Sequence, residues 1–242
     1  MRTVRLFYPF KHLMSNDTLI LNKSASHYLF NVLRMKLTDN LHIFNGLNLS
    51  HQAKIISVDS KQVKIQILKT LPQQASNNLQ LHLGQVLLKG SKMDGVIQKS
   101  VELGVSEITP LFSERCIIRL DENQTKKKLE HWQKIMIDAC EQCGRNDLPA
   151  LHPIIDLKIW LKQHPFLLGL NLNPRFGQSL KETSLDSSMG LLIGPEGGLT
   201  PGENNLAELY QFKNITLGPR ILRAETASLA CISTLQILAG DF

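Results

Sequence analysis

Over the first 70 residues apolar and polar positions alternate with the period of two expected of half-buried strands. Val4–Tyr8 and Leu41–Phe44 read as strands, the second ending at an Asn45-Gly46 turn, and Ser24–Leu33 reads as a short helix. Ala53–Val58 and Gln62–Leu68 alternate around Asp59-Ser60-Lys61, which predicts a hairpin. Residues 1–70 are therefore expected to form a small β-rich domain. Residues 71–78 are polar, contain Pro72 and lack periodicity, so they read as a linker.

From Leu79 the rhythm changes. Apolar runs of strand length, Leu79–Leu88, Glu107–Phe112, Phe166–Leu172, Met189–Ile193 and Asn214–Leu217, alternate with helical patterns. That alternation predicts an α/β domain over 79–242 with a mostly parallel sheet. Met93, Val96, Ile97 and Val101 share one helical face that Gly104 ends, leaving Lys92 and Lys99 off it. The last helix, Ala224–Ala239, is apolar or small on nearly every side and is expected to be buried, a partner subunit being one cover for it.

Composition adds bounds. The chain has 242 residues, 43% of them hydrophobic, enough for a sizeable core in one or two domains. No apolar run approaches the ~20 residues of a membrane helix, and Met1–Tyr8 lacks a signal peptide's hydrophobic region, so a cytoplasmic protein without membrane contact is expected. Residues 1–70 hold 10 Lys and Arg against 3 Asp and Glu, whereas residues 71–242 hold 17 against 18. The basic excess is all N-terminal. It reads as a polyanion-binding module, with RNA or DNA first, or as a basic domain that is merely soluble.

Cys140 and Cys143 form a lone C-x-x-C on the stripe Leu129, Trp132, Ile135, Met136, Ala139, Cys140, Cys143, so buried thiols are expected rather than redox or zinc chemistry. The eight histidines show no ligand spacing, and no metal is assigned.

The candidate chemistry lies in two stretches, Leu191–Glu203 and Leu217–Ser228. In each, an apolar run stops at glycine and helix-start residues follow, which opens a cleft at a strand's C-terminal end. Gly194, Gly197 and Gly198 permit positive φ and close approach of a ligand. Thr200, Pro201 and Glu203 have the spacing of a capping box. Pro195 lacks an N–H and Glu196 repels anions, so the loop suits ribose hydroxyls or a cation better than phosphate. A strand-to-helix turn that binds nothing is the alternative for the first stretch alone. Neither loop has the Gly-x-Gly-x-x-Gly dinucleotide pattern.

These two stretches resemble the paired C-terminal motifs of the RsmE family, SPOUT-class methyltransferases that act on N3 of one uridine in bacterial 16S ribosomal RNA. The resemblance extends through Lys99–Val105, Pro110, Ser113–Arg115, Ala139–Arg145 and Pro149 to Arg2, Arg5 and His27–Arg34, nearly the whole chain. Two departures are Lys36-Leu37-Thr38-Asp39, where the family usually has glycine before the Asp, and Cys143, where it often has a small polar residue.

The resemblance implies a PUA-like β-barrel at the N-terminus, a SPOUT α/β domain with a C-terminal trefoil knot, and a homodimer. It implies S-adenosylmethionine as methyl donor, held by Leu170, Gly194, Pro195, Glu196, Gly197, Gly198, Leu217, Gly218, Ile221, Leu222, Arg223, Thr226 and Ala227. The partner it implies is 16S rRNA or the small ribosomal subunit, gripped by Arg2, Arg5 and Arg34 in the basic domain and by Lys92, Arg115 and Arg145 near the cleft. Arg223 is expected to stabilise charge on a uridine oxygen, or alternatively to brace the loop against Glu196 or Glu225. Glu225 is the candidate proton acceptor. A SPOUT enzyme acting on another RNA site and a non-catalytic RNA-binding protein are the competing readings.

Overall fold

The structure, a computed structural model, describes residues 3–59, 62–75, 77–163 and 168–242. Arg2, the Ser60-Lys61 turn of the expected hairpin, Ser76 of the expected linker and the first two residues of the expected strand Phe166–Leu172 lie outside them. The chain folds into two compact units, Met1–Ala75 with Cys140–Leu148, and Ser76–Ala139 with Pro149–Phe242. The segment 140–148, expected in the α/β domain, thus packs in the first unit.

The first unit contains β1 (Val4–Phe7), β2 (Thr18–Ile20), α1 (Lys23–His27), β3 (Asn40–Phe44), β4 (Ser50–Val58) and β5 (Val63–Thr70). They form one sheet in the order β1-β3-β4-β5-β2, parallel between β1 and β3 and antiparallel elsewhere. Among the described residues no pairing closes this sheet into a full barrel. The alternation read from the sequence turns Ala53 and Ile55 of β4 and Val63, Ile65 and Ile67 of β5 inward, where they pack with Leu6, Leu21, Leu29, Leu41 and Ile43. The side chain of Asn22 caps α1 by accepting from the backbone N–H of Ala25 at 2.9 Å.

The expected single helix over 24–33 is instead α1 followed by a π-helical turn, Tyr28–Val32, in which Leu33 N–H donates to the Tyr28 carbonyl at 2.9 Å. A π-turn is costly and concentrates at functional places. It is followed by Arg34 at φ 54°, a left-handed conformation unusual for a side chain of this size.

The segment 140–148 is held in this unit by Arg5. Its guanidinium lies 4.8 Å over the Phe44 ring and donates to the Arg145 carbonyl at 2.8 Å and to Asn146 Oδ1 at 2.7 Å. Phe7 N–H donates to Glu141 Oε1 at 2.8 Å, and Leu148 N–H to the Gly46 carbonyl at 3.0 Å.

The second unit contains β6 (Gln80–Val86), α2 (Lys92–Glu102), β7 (Glu107–Phe112), most of α3 (Glu122–Cys143), β8 (Ala150–Leu151), β9 (Ile155–Asp156), α4 (Leu157–Gln163), β10 (Leu168–Leu172), β11 (Gln178–Ser179), β12 (Ser188–Ile193), α5 (Pro201–Leu209), β13 (Phe212–Thr216) and α6 (Ala224–Ala239). The sheet order is β11-β13-β10-β12-β6-β7-β8, with β9 also on β7, and every pairing among the described strands is parallel. Five consecutive residues of β12, Met189–Ile193, are buried, which requires both faces of the sheet to be covered. Gly84 of β6 makes room for the fully buried Trp160 of α4: a Cβ there would meet the indole at 2.5–2.8 Å.

One expectation is corrected. Cys143 is exposed, because it is the last residue of α3 before Gly144 turns the chain at φ 96°, and the stripe's cover ends there. Cys140 and Cys231 are buried, and burial pushes both thiols up to about 12, so neither supplies a thiolate at neutral pH. The last helix is buried on one face only. Ala227, Ser228, Cys231, Ile232 and Leu235 face inward, while Ile237 and Leu238 are 66% and 48% exposed.

Candidate active site

Because the second sheet is parallel, the C-terminal ends of its neighbouring strands β13, β10, β12, β6 and β7 lie along one edge. That edge is where open α/β sheets bind ligands. Both sequence motifs end there: β12 leads into Gly194–Leu199 and β13 into Leu217–Arg223. Leu170, in the middle of β10 between them, is fully buried.

The first loop is a tight turn in which Gly198 N–H donates to the Pro195 carbonyl at 2.8 Å. Of its three glycines only Gly198, at φ 68°, has positive φ. Gly194 instead serves close packing, since a Cβ there would lie 3.2 Å from Leu199 Cγ. The capping box is formed. Thr200 Oγ1 accepts from Glu203 N–H at 3.2 Å, and Glu203 Oε2 accepts from Thr200 N–H at 2.8 Å. Glu203 is 1% exposed, and its other oxygen accepts from Glu114 N–H at 2.8 Å, tying α5 to the segment after β7.

Arg115, on that same segment, donates to the Gly197 carbonyl at 3.0 Å. It braces the glycine loop. Lys92, at the start of α2, lies 3.3 Å from Glu196 Oε1 and 3.4 Å from Glu225 Oε1 and so joins the two motifs. Burial disfavours the Glu196 charge, but its own backbone N–H and Lys92 outweigh it and hold the carboxyl below its ordinary range. Glu225 Oε2 is buried and has no hydrogen-bond partner among the described residues.

In the second motif Gly218 turns at φ 102°. Ile221, Arg223 and Thr226 are exposed, Leu217 and Leu222 half-buried and Ala227 buried, with Arg223 at the N-cap of α6 in extended conformation. The N-terminal part of α6 is fixed to β6 by Ser228, whose hydroxyl donates to Gln85 Oε1 at 2.5 Å. Gln85 and Ser228, both fully buried, were not singled out in the sequence, because neither type is distinctive and they lie 143 positions apart.

The structure thus brings Glu196, Gly197, Lys92, Arg115 and Glu225 together. Arg5 and Arg145 lie in the first unit. Arg145 pairs with Asp147 at 2.6 Å, and Arg5 is occupied with the carbonyl and amide already described. Arg34 is exposed there, and Arg2 lies outside the described residues. Phe7 packs against Phe44, with ring centroids 5.7 Å apart, and Tyr8 against the first unit's core.

A parallel sheet whose edge carries two such loops, encoded behind a basic sheet unit, matches a known pairing. The RNA methyltransferase domain family covers residues 75–236, and the RNA methyltransferase PUA domain family covers residues 21–68. The protein is therefore an RNA methyltransferase by class. It is 41% identical over 231 residues to the ribosomal RNA small subunit methyltransferase E of Buchnera aphidicola subsp. Schizaphis graminum, covering 95% of this chain and 94% of that one. Its fold matches a Legionella pneumophila methyltransferase solved with SAM, with TM-score 0.96 and 38% identity over the whole of both chains. It also matches ribosomal RNA small subunit methyltransferase E of Neisseria gonorrhoeae bound to S-adenosyl methionine, with TM-score 0.92 and 35% identity, again over both whole chains. The chain belongs to the RsmE family, ribosomal RNA small subunit methyltransferase E, and has that family's SPOUT-type α/β fold with a PUA domain.

Proposed function

We propose that the protein transfers the methyl group of S-adenosylmethionine to N3 of one uridine in the 16S RNA of the small ribosomal subunit. The observation that carries this reading is the meeting of Glu196 and Glu225, one from each motif, on Lys92 at the C-terminal edge of the sheet. The residues suit the ligand. A sulfonium is cationic and has no phosphate, and this edge offers two carboxylates, a loop without a full set of N–H donors and the exposed apolar side chain of Ile221. Gly194–Gly198 and Leu217–Ala227 would hold it, whereas the expected contact Leu170 is fully buried within β10 and packs in the core.

When bound, S-adenosylmethionine supplies an electrophilic methyl group. The protein's own part is to make N3 a nucleophile and to hold it in place. Arg223, exposed at the N-cap of α6, donates to the uridine oxygen that gains charge as the N3 proton leaves. Glu225, whose Oε1 faces Lys92 at the cleft, takes that proton. Lys92 keeps the carboxylates of both motifs in register. Arg34, presented by the π-turn beside exposed Phe30, is the RNA-gripping residue of the basic domain. A second copy of the chain covers the exposed end of α6.

The test is incubation with labelled S-adenosylmethionine and small subunits lacking the modification, followed by nucleoside analysis. Label in 3-methyluridine at one position supports the proposal. S-adenosylmethionine binding without labelled RNA rejects the substrate, and no binding at all favours a non-catalytic RNA-binding protein.

A further inference from the structure

At the opposite, N-terminal end of the same strands lies a cluster that the methyl-transfer site does not use. His82 is the third residue of β6, Glu107 opens β7 directly beside it, and His152 follows β8. One ligand atom from each can be chosen so that all three lie within 4.8 Å of one another. Among the described residues this is the one group of three His, Cys, Asp or Glu side chains so placed. The histidines' sequence spacing concealed it, because two of the residues come from neighbouring strands and the third directly follows the next one.

We propose that His82, Glu107 and His152 bind a divalent cation of the zinc class. His82 Nδ1 and Glu107 Oε2 are 3.5 Å apart. That is close to the roughly 3.3 Å edge of a tetrahedron with metal bonds of about 2.0 Å to nitrogen and oxygen. His152 Nε2 and Glu107 Oε2 are 2.6 Å apart. They need to separate by about 0.7 Å to span the same edge, a small rotation for two half-exposed side chains.

The surroundings are those of a ligand set. The other ring nitrogen of His82, Nε2, lies 2.7 Å from Thr109 Oγ1, both residues being buried. A metal-bound imidazole is oriented in this way, by an oxygen partner on the nitrogen facing away from the ion. The rings of His82 and His152 stack at 5.1 Å with 17° between their planes, and Trp160 packs edge-on against His82 at 5.6 Å. Two imidazoles and one carboxylate, with no thiolate, favour zinc over magnesium or calcium. Glu107 and His152 are half-exposed, so a fourth position is open to water. The bound ion would clamp β6, β7 and β8 at the end remote from the methyl-transfer loops, a structural role.

The test is titration of chelator-treated protein with Zn²⁺ against a chromophoric chelator. One equivalent per chain is expected, with affinity falling at least about tenfold in His152→Ala and in Glu107→Gln and unchanged in Cys143→Ser. Cobalt(II) is expected to show ligand-field bands without thiolate charge transfer. No stoichiometric binding, unchanged affinity in His152→Ala, or a thiolate band each overturns the proposal. Thermal melts without metal establish that the two exposed-site variants are folded.

Discussion

Lys92 illustrates how a side chain's neighbours assign its work. As a lysine off the apolar stripe of α2 it reads as a phosphate contact, yet it stands between Glu196 and Glu225. Lys92→Met is expected to reduce kcat by about 100-fold, the scale of losing one preorganised charged group. If the lysine only gripped RNA, KM for the subunit would rise with kcat unchanged. Thr200 was legible because the capping box is written in a four-residue window. Thr200→Ala is expected to cost about 1 kcal/mol, read as a lower denaturant midpoint at constant slope. The second duty of Glu203, accepting from Glu114, was not legible, since it depends on which strand lies beside which.

Elements were legible in proportion to their burial. β6, β7, β10 and β12 are largely buried runs, and α5 begins at the residue that its capping box marks, whereas β13, with two buried residues, begins two positions before the expected Asn214–Leu217. β2 has three residues, none of them buried, so it leaves no apolar signature, and β8, β9 and β11 have only two residues each. The π-turn at Tyr28–Val32 shares its residues' helical propensity and differs only in hydrogen bonding. In the first sheet, His42 of β3 and His51 of β4 carry a testable cost. Burial lowers both, and Arg5 and Lys69 lower His42 further, so the fold favours their neutral forms. The unfolded chain takes up protons first as pH falls through about 6.5. Stability is therefore expected to drop between pH 7.5 and 5.5, and His51→Gln to flatten that drop in urea titrations. Glu196 acts in the same sense but in a lower window: its depressed value means its contribution persists between pH 7.5 and 5.5 and is lost only as pH falls through the carboxylate range.

At the scale of the whole chain, the half-covered α6 is the surface on which the proposed second copy would pack. Ile237 and Leu238 leave apolar surface on a helix whose other face is core. Ile237→Glu is expected to convert a two-chain species to one chain in light-scattering chromatography, while a wild-type protein already eluting as one chain would sink the homodimer. The sheet order has a further consequence, for synthesis. β6 is paired on one side by β7, soon after it in the chain, but its other partner is β12, which begins at Ser188. At ordinary translation rates this leaves one edge of β6 open for roughly 5 to 20 s. Six of its seven residues are buried in the finished fold, so the nascent chain carries an unpaired, sticky border through that interval. Holding that border apart from other chains is a task for the ribosome's attendant chaperones, and slow codons between Val86 and Ser188 would lengthen the exposure.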